Sequence, residues 1–341
     1  MKTEVLTVHP LFPEPAAIQQ AAAVLRRGGL VVLPTETVYG LAALADDPQA
    51  AARIFEAKGR PAYNPLIVHV ADIDDARSLA NLWPDSAERL AAAFWPGPLT
   101  LVVERNPRRI PDIITAGGPT VGIRIPAHAV ARTLLRALGR PFAAPSANRF
   151  QALSPTTAAH ALKSLDGRVD LVLDGGTCKH GIESTVVDCT GTVPTVLRHG
   201  ATALAELRRI CGDVHSDKAR SGSDHAALRS PGMLQKHYAP SARLVVVQAH
   251  ALAATLLELG EQTALVSHST AASEALRTPS RGSCQAVKHC ILPADPEGYA
   301  AALYTTLHGL DDAGCRSIVV EAVPDDEAWS AVKDRLARAQ S

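Results

Sequence analysis

Six short segments bracketed by Pro or Gly carry polar side chains that their apolar surroundings do not explain, and all lie in the first two-thirds of the chain. Lys58-Gly59-Arg60-Pro61 ends an apolar helical pattern with two cations. Where a chain is extended, residues two apart project to one side, so Lys58 and Arg60 suit a di- or triphosphate facing solvent-filled space. The same charges would also complement a helix macrodipole at its C-terminal end. Ala143-Ala144-Pro145-Ser146-Ala147-Asn148 repeats the spacing with a hydroxyl and an amide. Arg124, inside Thr120-Val-Gly-Ile-Arg124-Ile-Pro126, stands among apolar strand residues, where an unpaired charge is costly. It calls for a side-chain carboxylate, or for a ligand carboxylate or phosphate that its planar fork can grip. Asn64-Pro-Leu-Ile-Val-His69 sets an amide before a strand and an imidazole within it, where a satisfied core histidine is the alternative to a ligand. Pro34-Thr35-Glu36-Thr37-Val38-Tyr39-Gly40-Leu41 follows a strand, a place where binding groups collect, although a helix cap is the plainer reading. Ser154-Pro155 reads as an N-cap and helix start, which is also an anion site.

These groups need a scaffold. Helical spacing is expected over 14–27, 47–58, 73–82, 86–94, 128–138, 156–165 and 202–211, with Asp47 as N-cap and Pro48 at the first helical position. Strands are expected at 30–33, 66–70, 99–103, 120–125, 142–144, 169–173, 184–188 and 195–198. The connections are too unequal for a regular βαβ series, so a mixed α/β domain is expected over 1–212. The stretch 213–228 is polar and aperiodic and reads as a linker, followed by the distinctive run Ser230-Pro-Gly-Met-Leu-Gln-Lys-His-Tyr238-Ala-Pro240. From 241 to 341 strands (244–247, 264–267, 285–292, 317–321) alternate with helices (252–259, 270–276, 296–310, 327–339), the pattern of a small open parallel sheet.

Composition narrows the choices. With 47% hydrophobic and 20% charged residues the chain can close real cores, and 341 residues favour two domains. Basic and acidic residues balance at 34 each, so any polyanion contact must be local. No apolar run approaches the roughly 20 residues that span a bilayer. The N-terminus lacks the pattern of a signal peptide, and a cytoplasmic location is expected. The six cysteines form no Cys-x-x-Cys pair, which disfavours a zinc ribbon or a redox motif and leaves reduced, mostly buried thiols. A metal site built on Cys178, His180 and Cys189 would lack a fourth ligand. P-loop, dinucleotide, serine-hydrolase and zincin motifs are absent.

Taken together, Pro-Thr-Glu-Thr-Val-Tyr-Gly-Leu, Lys58-x-Arg60, Gly-Ile-Arg124-Ile-Pro and Ser146-x-Asn148 resemble the YrdC-like family of threonylcarbamoyl-AMP synthases. Glu183-Ser-Thr-Val-Val-Asp188 and Leu197-Arg-His-Gly200 continue the resemblance in order. The run 230–240 resembles the linker of the long, two-domain members, whose smaller C-terminal domain is Rossmann-like. The resemblance implies an N-terminal YrdC-like α/β domain with a twisted sheet. It also implies an enzyme that joins L-threonine, bicarbonate or CO2, and ATP into threonylcarbamoyl-adenylate with release of pyrophosphate, the first step of tRNA threonylcarbamoyladenosine formation. By that pattern Thr35, His69, Arg124 and Ser184 hold threonine, and Arg60, Asn64, Thr120, Ala144, Ser146, Ser154, Arg198 and Tyr238 hold ATP. Ala144 can contribute only backbone groups. Lys58 and Asn148, with Arg60 and Ser146, form the phosphate and carbamate environment. Mg2+ is expected to accompany ATP, with no carboxylate ligand nameable.

The implied partners are the downstream proteins that transfer the threonylcarbamoyl group to tRNA, with no membrane and no required RNA contact. Two other readings are a double-stranded RNA-binding module, disfavoured by zero net charge, and a carbamoyl-transferring YrdC-like enzyme, disfavoured by the missing zinc fingers. The run 230–240 is expected to act as a lid.

Overall fold

Asp47 and Pro48 open a helix as their chemistry dictates. The Asp47 carboxylate accepts from the amides of Gln49 and Ala50, and Pro48 stands where its missing N–H costs nothing. The helix Pro48–Lys58 stops at Gly59, whose φ of 63° is the left-handed conformation that glycine adopts without penalty. Thus Lys58 is the last helical residue and Arg60 follows a left-handed cap. The extended geometry expected for this pair is not what forms.

The computed structural model describes residues 2–216, 238–270 and 288–340. Two compact units result, one of Met1–Phe150 with Ser154–Leu234, the other of Gln151–Leu153 with Gln235–Ser341.

In the first unit a mixed sheet runs in the order Glu4–Thr7, Leu171–Asp174, Val31–Leu33, Gly40–Leu44, Phe142–Ala143, Ile67–His69, Thr120–Arg124, Leu99–Arg105, Thr185–Asp188, Thr195–Arg198, His215–Ser216. Its central strands are apolar and buried on both faces, as Gly40–Leu44 and Leu99–Val103 illustrate. Helix Ala129–Leu138 packs its buried stripe of Val130, Leu134, Leu135 and Leu138 on helix Pro15–Arg26 and the shared core.

Three expectations are corrected here. Residues 80–82, read as the end of a helix, leave it at Ser78 and form the edge strand Ala80–Leu82 against Leu99–Arg105. The segment after Thr37 caps no helix: it enters strand Gly40–Leu44, whose small residues carry little β signal. Ser154 is not an N-cap, because the helix begins at Ala158 and is capped by Thr157, whose hydroxyl accepts from the His160 amide.

The second unit holds parallel strands in the order Arg243–Val247, Ser317–Glu321, Thr263–Ser267, Lys288–Ile291, with helices Leu252–Leu259, Pro296–Asp312 and Ser330–Ala339. Most of the expected helix 270–276, the start of the strand at 285, and residues 217–237 of the expected linker and lid lie outside the described residues. Tyr238 belongs to this unit: its buried ring lies 6.0 Å from that of Tyr304, and the Arg335 guanidinium sits 4.9 Å from its centroid. Of the described cysteines, Cys178 and Cys189 are buried, but Cys211, Cys290 and Cys315 are only half-buried, so most thiols are less sheltered than expected.

Candidate active site

Strand register gathers the scattered polar residues. Side chains directly opposite each other on paired strands share a face, and residues two apart on one strand share it too. His69 pairs with Arg124 and Phe142, Gly40 with Ser146, and Val186 with Thr100 and Arg198. Following these pairs across the sheet puts Ala144, Ser146, His69, Thr120, Arg124, Thr100, Ser184 and Arg198 on one face. Gly122 lies between Thr120 and Arg124, and a Cβ there would come 3.2 Å from Thr100 Cγ2. The missing side chain leaves a shallow hollow lined by Ile67, Thr100, Thr120 and Gly122. Gly122 and Ala144 stand beside one end of strand Ile67–His69, and His69 and Arg124 mark the other, about 7 Å along the strand.

At the first end, Lys58 is buried and donates from Nζ to the carbonyl oxygens of Ser146 (2.5 Å) and Asn148. Burial, with the Arg60 charge adding, pushes its pKa well below the usual lysine range. Arg60 is also buried and clips its own loop, donating to Asn64 O (3.1 Å), Asn64 Oδ1 (2.6 Å) and Pro65 O (2.7 Å). Neither cation faces open solvent, which corrects that expectation. The amide nitrogen of buried Asn64 has no hydrogen-bond partner among the described residues.

At the second end, Arg124 donates from Nε to Gly97 O (3.1 Å) and from Nη1 to Thr37 Oγ1 (3.0 Å), and its Nη2 lies 2.6 Å from Glu36 Oε1. The side-chain carboxylate that Arg124 calls for is therefore Glu36, whose type and spacing alone assign it no role. Both are almost fully buried, yet the pair is out of hydrogen-bond alignment: among the described residues Glu36 Oε1 and Oε2 and Arg124 Nη2 have no aligned hydrogen-bond partner. Burial pushes the Glu36 carboxyl up, but the Arg124 charge and the nearby amides of Glu36 and Ala127 outweigh it and hold the group below the usual carboxylate range.

Thr35 Oγ1 lies 2.8 Å from Thr37 Oγ1 and donates to Val38 O, folding the loop on itself. His69 stacks on Phe142 at 5.5 Å. Its Nδ1 has no hydrogen-bond partner among the described residues, and burial, with Arg124 adding, pushes the imidazole down to about 3, so it is neutral near pH 7.

Ser184 bridges the neighbouring strands. Its Oγ meets Thr100 Oγ1 at 2.8 Å, while Arg198 Nη2 donates to Ser184 O (2.9 Å) and Oγ (3.1 Å). Gly200 permits this turn, because a Cβ there would lie 2.4 Å from the Glu183 and Ser184 backbone. Ser154 Oγ donates to Glu183 Oε1 at 2.5 Å, which ties residue 154 to the same corner. Among the expected site residues Tyr238 belongs to the second unit. Glu36, Thr37, Thr100 and Glu183 belong to the arrangement without having been singled out. Glu36, Thr37 and Glu183 lie inside recognised motifs, whereas Thr100 looks like any strand-forming threonine.

Residues 23–200 match the Sua5_yciO_yrdC family model, described as telomere recombination, and residues 202–341 match Sua5_C, described as the C-terminal domain of threonylcarbamoyl-AMP synthase. The chain is 39% identical over 331 residues to the threonylcarbamoyl-AMP synthase of Pyrococcus abyssi, covering 94% of this chain and 93% of that one. It is 40% identical over 324 residues to that of Bacillus subtilis, covering 94% and 92%. The crystal structure of P. abyssi Sua5 complexed with L-threonine matches with a TM-score of 0.88 at 38% identity, over 99% of this chain and 97% of that one.

Proposed function

The chain belongs to the Sua5/YciO/YrdC family in its two-domain form, and from that membership we propose that it makes threonylcarbamoyl-adenylate from L-threonine, bicarbonate and ATP, with release of pyrophosphate. It is a nucleotidyltransferase of tRNA modification. Threonine's amine and CO2 form a carbamate, whose oxygen attacks the α-phosphorus of ATP as pyrophosphate leaves. The carbamate is itself the nucleophile, so the protein's work is to position and to stabilise charge.

The observation that supports this reading is that one sheet face carries His69, Arg124 and Ser184, while the buried cations Lys58 and Arg60 lie at the other end of strand Ile67–His69. In the proposed arrangement Arg124 meets the threonine carboxylate, with Thr35, His69 and Ser184 around the rest of that substrate. Lys58, Arg60, Asn64, Thr120, Ser146, Asn148, Ser154 and Arg198, with the Ala144 backbone, receive the nucleotide and the carbamate. Tyr238 as a nucleotide contact rests on the family pattern alone, as does the division into domains at 1–212, 213–240 and 241–341.

Magnesium is the proposed companion of the triphosphate, where it offsets phosphate charge. It takes most ligands from phosphate and water, which fits a site where no group of three or more His, Cys, Asp or Glu gathers among the described residues. The product's mixed anhydride would pass to the proteins that modify tRNA, in the cytoplasm; no described helix is long and apolar enough to cross a membrane.

Purified protein with ATP, threonine and bicarbonate should release pyrophosphate promptly. Equal release without threonine would overturn the reading.

A further inference from the structure

The second end of the sheet face holds more unfilled hydrogen-bonding capacity than an internal ion pair requires. Glu36 Oε1 lies 2.6 Å from Arg124 Nη2, yet among the described residues Glu36 Oε1 and Oε2, Arg124 Nη2 and His69 Nδ1 are all buried without an aligned hydrogen-bond partner. A carboxylate serving only as a structural counter-ion normally fills its lone pairs, because an unfilled buried acceptor is costly. Here the Arg124 fork is tied down by Gly97 O and Thr37 Oγ1, which leaves Glu36 close to its charge but out of line with its N–H bonds.

The orphaned groups form a complementary set: a cationic donor, an anionic double acceptor and a neutral imidazole. An α-amino acid presents the inverse set, a carboxylate and an ammonium two bonds apart, so a carboxylate on Arg124 brings the ammonium within reach of a side chain that itself touches Arg124. We propose that Glu36 is the residue that receives the α-ammonium of threonine, and that the Glu36–Arg124 pair recognises the two ends of the zwitterion together. This rests on the threonine reading given above.

The arrangement has a consequence for specificity. Bringing an ammonium to the buried Glu36 oxygens fills them, whereas an α-hydroxyl in its place offers one neutral donor to an anion and leaves most of that capacity unfilled. The nearby Lys58 and Arg60 cannot serve the ammonium, being cations and at the other end of strand Ile67–His69.

The test is calorimetric titration of the full chain with L-threonine and with 2,3-dihydroxybutanoate, its α-hydroxy counterpart. Wild-type protein should prefer threonine by about 100-fold. Glu36→Gln should lose about 100-fold in threonine affinity while binding the hydroxy acid within about threefold of wild type, collapsing the preference. Glu36→Asp, which keeps the charge but withdraws it by one methylene, should fall between the two and covers the case in which Gln leaves Arg124 too poorly compensated to fold. If both variants keep the wild-type preference, Glu36 is only a structural counter-ion and the assignment is overturned. If wild-type protein binds neither compound, the threonine reading itself has failed.

Discussion

The ammonium of Lys58 lies 2.5 Å from the carbonyl oxygen of Ser146, 88 residues further along the chain. That contact, with its companion to Asn148 O, makes Lys58 a brace between the helix end and the 144–148 loop, beside its proposed role as a charge for the nucleotide. Lys58→Met should therefore reduce pyrophosphate release by about 100-fold or more and also lower stability by about 1–3 kcal/mol, through two buried carbonyls left short of a donor. Thermal unfolding beside the activity assay checks both halves. Full stability with lost activity would show that the brace carries no weight.

The same lysine links binding to protons. Its pKa is held well below the usual range in the free protein, and triphosphate oxygens nearby would raise it by favouring the charged form. At a pH between those two values, ATP binding should take up a proton, seen as a binding enthalpy that varies with the ionisation enthalpy of the buffer. The dependence should vanish in Lys58→Met. A buffer-independent enthalpy at every pH would mean that Lys58 is charged before ATP arrives.

Removal of Arg124 should be costly in a way that removal of its pair is not. Arg124→Ala leaves the buried Glu36 charge uncompensated, with an expected loss of about 3–5 kcal/mol. Glu36→Gln in the Arg124→Ala background should recover part of it in denaturant unfolding. Additive losses in the double variant would show that the two charges do not act on each other.

His69 predicts an acid limb of stability. Its pKa falls from an ordinary 6.5 to about 3 on folding, so between those values the unfolded chain binds a proton that the folded one does not. Stability should drop as pH falls through that window, by about 1.4 kcal/mol per unit from this group. His69→Phe should flatten that limb relative to wild type. An unchanged slope would place the imidazole's titration elsewhere.

Tyr238 packs in the core of the second unit against Tyr304 and Arg335. Tyr238→Ala should destabilise that unit by about 3–5 kcal/mol, seen as earlier proteolysis within 238–340. Unchanged protease resistance would count against this packing role, and a fall in ATP affinity at full stability would favour the nucleotide role that the family pattern implies.

Local chemistry was legible wherever one residue's own preferences decide the outcome. Asp47 and Pro48 start their helix as expected, and the strand Thr195–Arg198 has the expected limits. Ala80–Leu82 was not legible, because three residues at a sheet edge take their conformation from the partner strand Leu99–Arg105. Ser154 carries a strong cap signal, yet its hydroxyl goes to Glu183, 29 residues away.

By itself the sequence determined the α/β class and the family, since types, spacing and motif order are local quantities. Only the tertiary structure decided that Lys58 and Arg60 are buried clips rather than solvent-facing charges, and that the carboxylate beside Arg124 is Glu36. Both depend on long-range contacts: burial sets the cost of a charge, and strand register sets which distant residue stands close enough to offset it.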